Sequence, residues 1–238
     1  MAQPIIDVEG LTKVYGKDVL AVDDVSFAVP EGEFFGFLGP NGAGKSTTMR
    51  VLATLLTPTR GTVRIAGLRL GAQDDAIRRA IGFAMQGVTL DELASAWENL
   101  RLIGSLYGLS KAEIQSRADE LLALLNLTKV AGKWVKTYSG GMKRRLDLAA
   151  VLMHRPRLLF LDEPTEGLDP AARRVIWDYL RELNGQGMTI FLTTHFMQEA
   201  EALCQRISII DHGKVVAPGS AQALMAEAGA QTMDNAFI

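Results

Sequence analysis

Several absences narrow the possibilities. The chain has a single cysteine, Cys204, in 238 residues, so it can form no internal disulfide. That usage reads as cytosolic, and the apolar-periodic setting of Cys204 reads as a small core residue, not a nucleophile. A basic excess is also missing: 25 Lys and Arg face 27 Asp and Glu, for a formal net charge of −2. That balance argues against direct nucleic-acid binding as the main task. No window approaches the ~20 apolar residues that cross a bilayer. The longest uncharged stretch, 183–198, carries Asn184, Gln186, three threonines and His195. Residues 1–10 lack a basic segment followed by an apolar run, so no signal peptide is expected. Any contact with a membrane is therefore expected to run through a partner. No internal repeat and no low-complexity tract is found.

What remains is an ordinary globular composition, 48% hydrophobic and 22% charged. A chain of this length buries a sizeable core without disulfide or structural metal. Short β-type runs at 5–8, 25–29 and 34–38 lead into a glycine-rich loop. A helix is expected from Lys45 to about Leu56, with further strands at 62–66 and 81–85. The middle changes character. Ser95 with Glu98 and Ser110 with Glu113 form S-x-x-E capping boxes. The second opens a helix that places Ile114, Ala118, Leu121, Leu122 and Leu125 on one face. After Pro156 the alternation returns, with buried-strand runs at 158–162 and 189–193 and a helix starting near Ala171. A hairpin at 207–217 turns at His212-Gly213. The expected fold is α/β, with a helical insert at 87–155 dividing a core of 1–86 and 156–217, and a tail at 218–238.

Gly39-Pro40-Asn41-Gly42-Ala43-Gly44-Lys45-Ser46-Thr47 fits G-x-x-x-x-G-K-[ST]. Glycines let the backbone N–H groups converge into one concavity, and the following helix adds its positive N-terminal end. Lys45 supplies a mobile charge for the β- and γ-phosphates, and Ser46 a hydroxyl for Mg²⁺. The bland alternative is a glycine turn with a solvated lysine, but the strand–loop–helix context disfavours it. Residues 158–163 form an apolar strand ending in Asp162 and Glu163. Asp162 suits the metal side, and Glu163 suits polarisation of an attacking water. Taken alone, an acid pair after a strand is also a common helix-start feature.

Tyr138-Ser139-Gly140-Gly141-Met142 then resembles the L-S-G-G-Q signature of ATP-binding cassette ATPases. Gln86 matches that family's glutamine loop and Gly167-Leu168-Asp169 its aspartate loop. His195, after 191–194, matches the switch histidine, and Tyr15 in Lys13-Val14-Tyr15-Gly16 the adenine-stacking aromatic. Six motifs in the family's order span nearly the whole chain. The resemblance implies a P-loop NTPase core, a RecA-like mixed sheet with an antiparallel β part, and the inserted helical subdomain. It implies ATP with Mg²⁺, the metal held through Ser46, Gln86 and Asp162. Glu163, His195 and Gln86 are the implied catalytic group, and Asp169 joins the nucleotide contacts. Ser139, Gly140 and Gly141 are implied to reach the γ-phosphate of ATP held by a second, similar subunit. A membrane-spanning permease is the implied second partner, which would place the chain on the cytoplasmic face of the cell membrane.

Two signature positions depart from the pattern, Tyr138 for leucine and Met142 for glutamine. The serine and both glycines are intact, so altered packing around a competent signature is expected. The Lys143-Arg144-Arg145 run reads as a solvated face for its outward members and is not assigned to the site. Residues 47–56, 138–145, 193–201 and the close at 233–238 resemble the drug-exporter branch typified by daunorubicin-resistance ATPases. Three rivals stay open: a cassette ATPase without transport duty, a DNA-repair cassette, and a non-enzymatic nucleotide sensor. Intact Glu163 and His195 weigh against the last.

Overall fold

The computed structural model describes residues 3–85, 87 and 90–236. Two sheets stack around an aromatic core. The first is antiparallel, in the order β2 (Val19–Val29), β1 (Ile6–Tyr15), β4 (Arg60–Ile65), β5 (Leu68–Arg69). The second has six strands. From its edge inward run β10 (Lys214–Gly219), β9 (Arg206–Asp211), β3 (Phe34–Leu38), β8 (Thr189–Thr194), β7 (Leu158–Asp162) and β6 (Ile81–Ala84). All its pairings are parallel except the β9–β10 hairpin. That hairpin turns on His212 and Gly213, both at positive φ, as a two-residue loop between twisted strands requires.

The strands of the second sheet read as continuous apolar runs because both faces are covered. On one face Phe35, Phe37 and Phe191 meet Phe27 of the first sheet and Phe160 meets Phe191, with ring centroids 5.3–5.8 Å apart. Helices α1 (Lys45–Leu52) and α2 (Asp74–Ala80) complete that layer through Met49, Leu52 and Ile77. The other face packs against α3 (Ala96–Leu106), α4 (Lys111–Leu124), α5 (Gly140–Leu152), α6 (Pro170–Gly185) and α7 (Met197–Leu203). Short α8 (Ala221–Glu227) and α9 (Met233–Ala236) follow, anchored by the buried Leu224 and Met233.

Both capping boxes form, with Ser95 and Ser110 each exchanging hydrogen bonds with the glutamate three residues on. The helix expected to reach about Leu56 stops at Leu52. Thr54 takes a left-handed φ of 63°, and its N–H turns back to the Val51 carbonyl. β1 and β2 run longer than the runs at 5–8 and 25–29, because irregular register near Leu11 and Lys13 breaks the alternation that marks a strand. Cys204 is buried, and burial raises its thiol pKa well above the ordinary value. It lies so close to Gly36 that a side chain there would meet its sulfur at 2.6 Å. Among the described residues no helix is long and apolar enough to cross a membrane.

Candidate functional site

Three adjacent parallel strands, β3, β8 and β7, end at one edge of the second sheet. Their register sets Leu38 beside Thr194 and Asp162 beside Thr193. The glycine loop leaves β3 there, Glu163 follows β7, and His195 follows β8. Open α/β sheets place ligands at this carboxyl edge, because the loops that follow the strands gather there.

The loop is built around two steric requirements. Gly44 caps α1 at φ 103°, and a Cβ there would sit 2.4 Å from the Ala21 carbonyl oxygen of β2. At Gly39 a Cβ would sit 2.2 Å from the carbonyl oxygen of Ile210 in β9. The loop is thus wedged between β2 and the β9–β10 turn, and Gly213 N–H holds it by donating to the Ala43 carbonyl at 2.9 Å. No side chain caps the N-terminus of α1, so its first N–H groups face the cavity as anion donors. The cavity has a volume of about 280 Å³, and its lining includes Asn41, Gly42, Gly44, Lys45, Ser46, Thr47 and Glu163.

The charged groups are tightly interlocked. Lys45, only 4% exposed, donates to the carbonyls of Gly39 at 2.7 Å and Pro40 at 3.0 Å. It also lies 3.5 Å from Glu163 Oε1. Burial lowers the Lys45 pKa, while Glu163, Asp162 and Glu166 oppose that shift. The other oxygen of Glu163 is 3.0 Å from His195 Nδ1. Glu163 thus bridges the lysine and the histidine. Its backbone is strained at φ 49°, and its N–H is pinned to the Thr193 carbonyl at 3.0 Å.

Ser46 Oγ donates to Asp162 Oδ1 at 3.1 Å, and the Thr193 hydroxyl donates to the same oxygen. A hydroxyl and a carboxylate meeting at the phosphate loop are hard oxygen donors. They fit Mg²⁺, which takes one or two protein ligands and completes its shell with phosphate and water. Gln86, the third expected ligand, lies outside the described residues. Tyr15, at the end of β1, is 37% exposed, with its hydroxyl 3.5 Å from Thr47 Oγ1. Val19 pairs with Tyr15 across the strands and is likewise exposed, which gives an apolar platform beside the loop.

The signature residues do not join this cavity. Ser139 caps α5, its Oγ accepting from Met142 N–H at 3.3 Å, and none of residues 139–141 lines the cavity. Asp169 likewise caps α6, accepting from the N–H groups of Ala171 and Ala172, both at 2.9 Å. One chain thus brings together the phosphate loop, Asp162, Glu163 and His195, and leaves the signature and Asp169 apart.

Comparison with known proteins places this arrangement. The family described as ABC transporter matches residues 22–166. A daunorubicin resistance ATP-binding protein of Streptomyces coeruleorubidus is 46% identical over 234 residues, covering 98% of this chain and 74% of that protein. The chain belongs to the ABC transporter family. It is an ATP-binding subunit with ATPase activity, related to drug-resistance and export ATPases. A Nod factor export ATP-binding protein of a Rhizobium strain, N33, is 45% identical over 227 residues, covering 95% of this chain and 74% of that one. Among solved structures, an ATP-binding subunit of an ABC transporter matches with a TM-score of 0.86 at 31% identity, covering 98% of both chains. A dimeric ATP-binding cassette in a post-hydrolysis state with ADP and Pi matches with a TM-score of 0.81 at 31% identity. That match covers 90% of this chain and 98% of the other.

Within this ABC chain the signature departures acquire a packing reason. Tyr138 is buried and donates through its hydroxyl to the Val130 carbonyl at 2.7 Å, while Met142 packs on the helical cluster. The Lys143-Arg144-Arg145 run is not a solvated face. Lys143 pairs with Glu92, and Arg145 donates to the Leu125 carbonyl at 2.9 Å. Arg144 is 4% exposed, with Nε and Nη1 hydrogen-bonded and Nη2 buried without a partner among the described residues. Its burial is invisible in a run of three cations, because helical periodicity does not show which neighbouring segments cross over the helix. Sequence reasoning also missed Ala21 and Glu166 in the cavity lining, and Thr193 on Asp162. The threonine pair that closes β8 after three apolar residues was the available signal for Thr193.

Proposed function

We propose that this chain is the ATP-driven half of an export system, working as a dimer on a separate membrane-spanning permease. The observation that carries the reading is the divided site. The phosphate loop, Asp162, Glu163 and His195 gather at one carboxyl edge, while a second anion-binding helix start, at Ser139 to Gly141, stands outside that cavity. A second copy, turned head to tail, brings its signature to the open side. Similarity to a cassette solved as a dimer with ADP and Pi supports this geometry. Similarity to a drug-resistance protein and an export protein supports the direction of transport.

In this reading Tyr15 stacks on the adenine, and the backbone from Gly39 to Thr47 cradles the phosphates, Pro40 and Ala43 contributing through the main chain. Lys45 leaves Glu163 for the phosphates, which frees the carboxylate to take a proton from the attacking water. His195 holds that carboxylate in place and reaches the γ-phosphate. Ser139, Gly140 and Gly141 of each copy stabilise the γ-phosphate charge in the other copy's site, and Asp169 contacts the facing subunit near that phosphate. Ser46, Asp162 and Gln86 would hold Mg²⁺, which when bound neutralises charge between the β- and γ-phosphates. Residues 1–86 and 156–217 then form the ATPase core, and 87–155 the helical part that meets the permease. The chain would sit at the cytoplasmic face of the membrane through that partner.

Glu163→Gln provides the test. Removing a general base lowers turnover by roughly 10²–10⁴-fold. The variant should still bind ATP and should elute as a dimer with Mg²⁺–ATP but not with ADP. Wild-type turnover, or a monomer at saturating Mg²⁺–ATP, sinks the proposal.

A further inference from the structure

The turn that carries Glu163 is held from two sides. On one side its own N–H is fixed to the Thr193 carbonyl of β8. On the other, the guanidinium of Arg144 on the signature helix α5 donates through Nε to the Pro164 carbonyl at 2.8 Å. Its Nη1 donates to the Met85 carbonyl at 2.6 Å and to Asp147 Oδ2 at 3.1 Å. Pro164 is the residue after Glu163, and Met85 the residue before Gln86. One side chain thus ties the signature helix to the backbone beside each of two expected catalytic residues. Thr165, next in the turn, donates to the fully buried Glu199 at 2.7 Å, and Trp177 donates to the same oxygen at 2.9 Å. Glu199 lies four residues after His195, on α7.

Burying a guanidinium costs several kcal/mol unless its donors are satisfied, and here Nη2 is buried without a hydrogen-bond partner among the described residues, so the site carries part of that cost. An apolar side chain would fill the same space more cheaply but would bind neither carbonyl. The planar fork meets acceptors on separate segments at fixed angles, which a flexible ammonium does not reproduce. Because Glu163 sits at a strained φ of 49°, its conformation persists only while its neighbours hold it.

We propose that Arg144 is a positioning residue for hydrolysis: it fixes the Glu163 turn to the signature helix, so that the position of that helix sets the aim of the Glu163 carboxylate. This rests on the functional reading above. The signature is then more than a phosphate contact for the facing subunit, because its helix also adjusts the base in its own chain.

The test compares Arg144→Gln and Arg144→Lys with wild type and with Glu163→Gln, all in the full chain. The measurements are kcat and KM for ATP, equilibrium ADP affinity, and melting temperature. A misplacement of about 1 Å costs up to ~100-fold in rate. Arg144→Gln should therefore lose roughly ten- to a hundredfold in kcat, with ADP affinity within about twofold of wild type. Arg144→Lys should recover part of the loss, since one carbonyl regains a charged donor. If Arg144→Gln melts below the assay temperature, Arg144→Lys alone decides, by lowered kcat at unchanged ADP affinity. Wild-type kcat in the folded variants, or kcat and ADP affinity falling together, overturns the assignment. Normal turnover in Glu163→Gln marks failure of the functional reading itself. An inactive Glu163→Gln beside fully active Arg144 variants marks failure of this inference alone.

Discussion

Gly44→Ala tests the architecture of the phosphate loop with a single methyl group. Two costs arise. An L-residue in a left-handed conformation loses roughly 1–2 kcal/mol, and φ 103° lies beyond the favoured part of that region. The added carbon also meets the Ala21 carbonyl oxygen at 2.4 Å, a backbone atom that moves only with its strand. Overpacking of this kind costs roughly 1–3 kcal/mol. The total is about 2–5 kcal/mol, which lowers the melting temperature by roughly 5–20 °C in a chain of this size. Gly71→Ala isolates the first cost, because Gly71 has φ 81° and nothing within 4 Å of the added carbon. It should lose only about 1–2 kcal/mol. The strain at Gly44 is relieved by moving the loop away from β2, which turns N–H groups away from the phosphates. Loss of one charge-assisted hydrogen bond, about 1.5–3 kcal/mol, weakens ADP binding by roughly ten- to a hundredfold. Differential scanning fluorimetry and calorimetric ADP titration read both effects. If Gly44→Ala melts with Gly71→Ala and binds ADP within twofold of wild type, the wedged-loop argument is wrong.

Two other perturbations probe separate features. Tyr15→Ala should weaken ADP binding by roughly tenfold or more, given about 1–3 kcal/mol for base stacking on an aromatic, while Tyr15→Trp retains affinity; equal affinity in Tyr15→Ala removes Tyr15 from the base site. His154 stacks on Tyr107 at 3.8 Å, and its Nε2 donates to the Ile81 carbonyl at 2.8 Å. Burial lowers its pKa, the Ile81 bond opposes that shift, and Arg117 adds to it. The unfolded chain therefore binds the proton first, and stability should fall as pH drops below about 6.5, the unperturbed value. His154→Gln should flatten the decline in melting temperature between pH 7 and 5, and an identical decline in both proteins excludes His154 as its source.

The strands of the second sheet, the glycine loop and the Asp162-Glu163 strand end were legible in the residues, because each rests on local rules of turn geometry, apolar runs and phosphate chemistry. Both capping boxes were readable for the same reason, since serine and glutamate three apart satisfy each other within one turn. The end of α1 at Leu52, the length of β1 and the burial of Arg144 were not readable. Each depends on a partner distant in sequence: a reversal at Thr54, a neighbouring strand with irregular register, and two carbonyls 59 and 20 residues away. For this chain the sequence by itself determined the phosphate-loop motif and the acid pair after it, the residues expected to hold a phosphate. Only the tertiary structure decided that Glu163 bridges Lys45 and His195, that Tyr138 packs inward, and that the signature stands apart from its own chain's phosphate loop. Local chemistry is written along the chain, whereas the distance between two segments depends on how every intervening strand and helix packs.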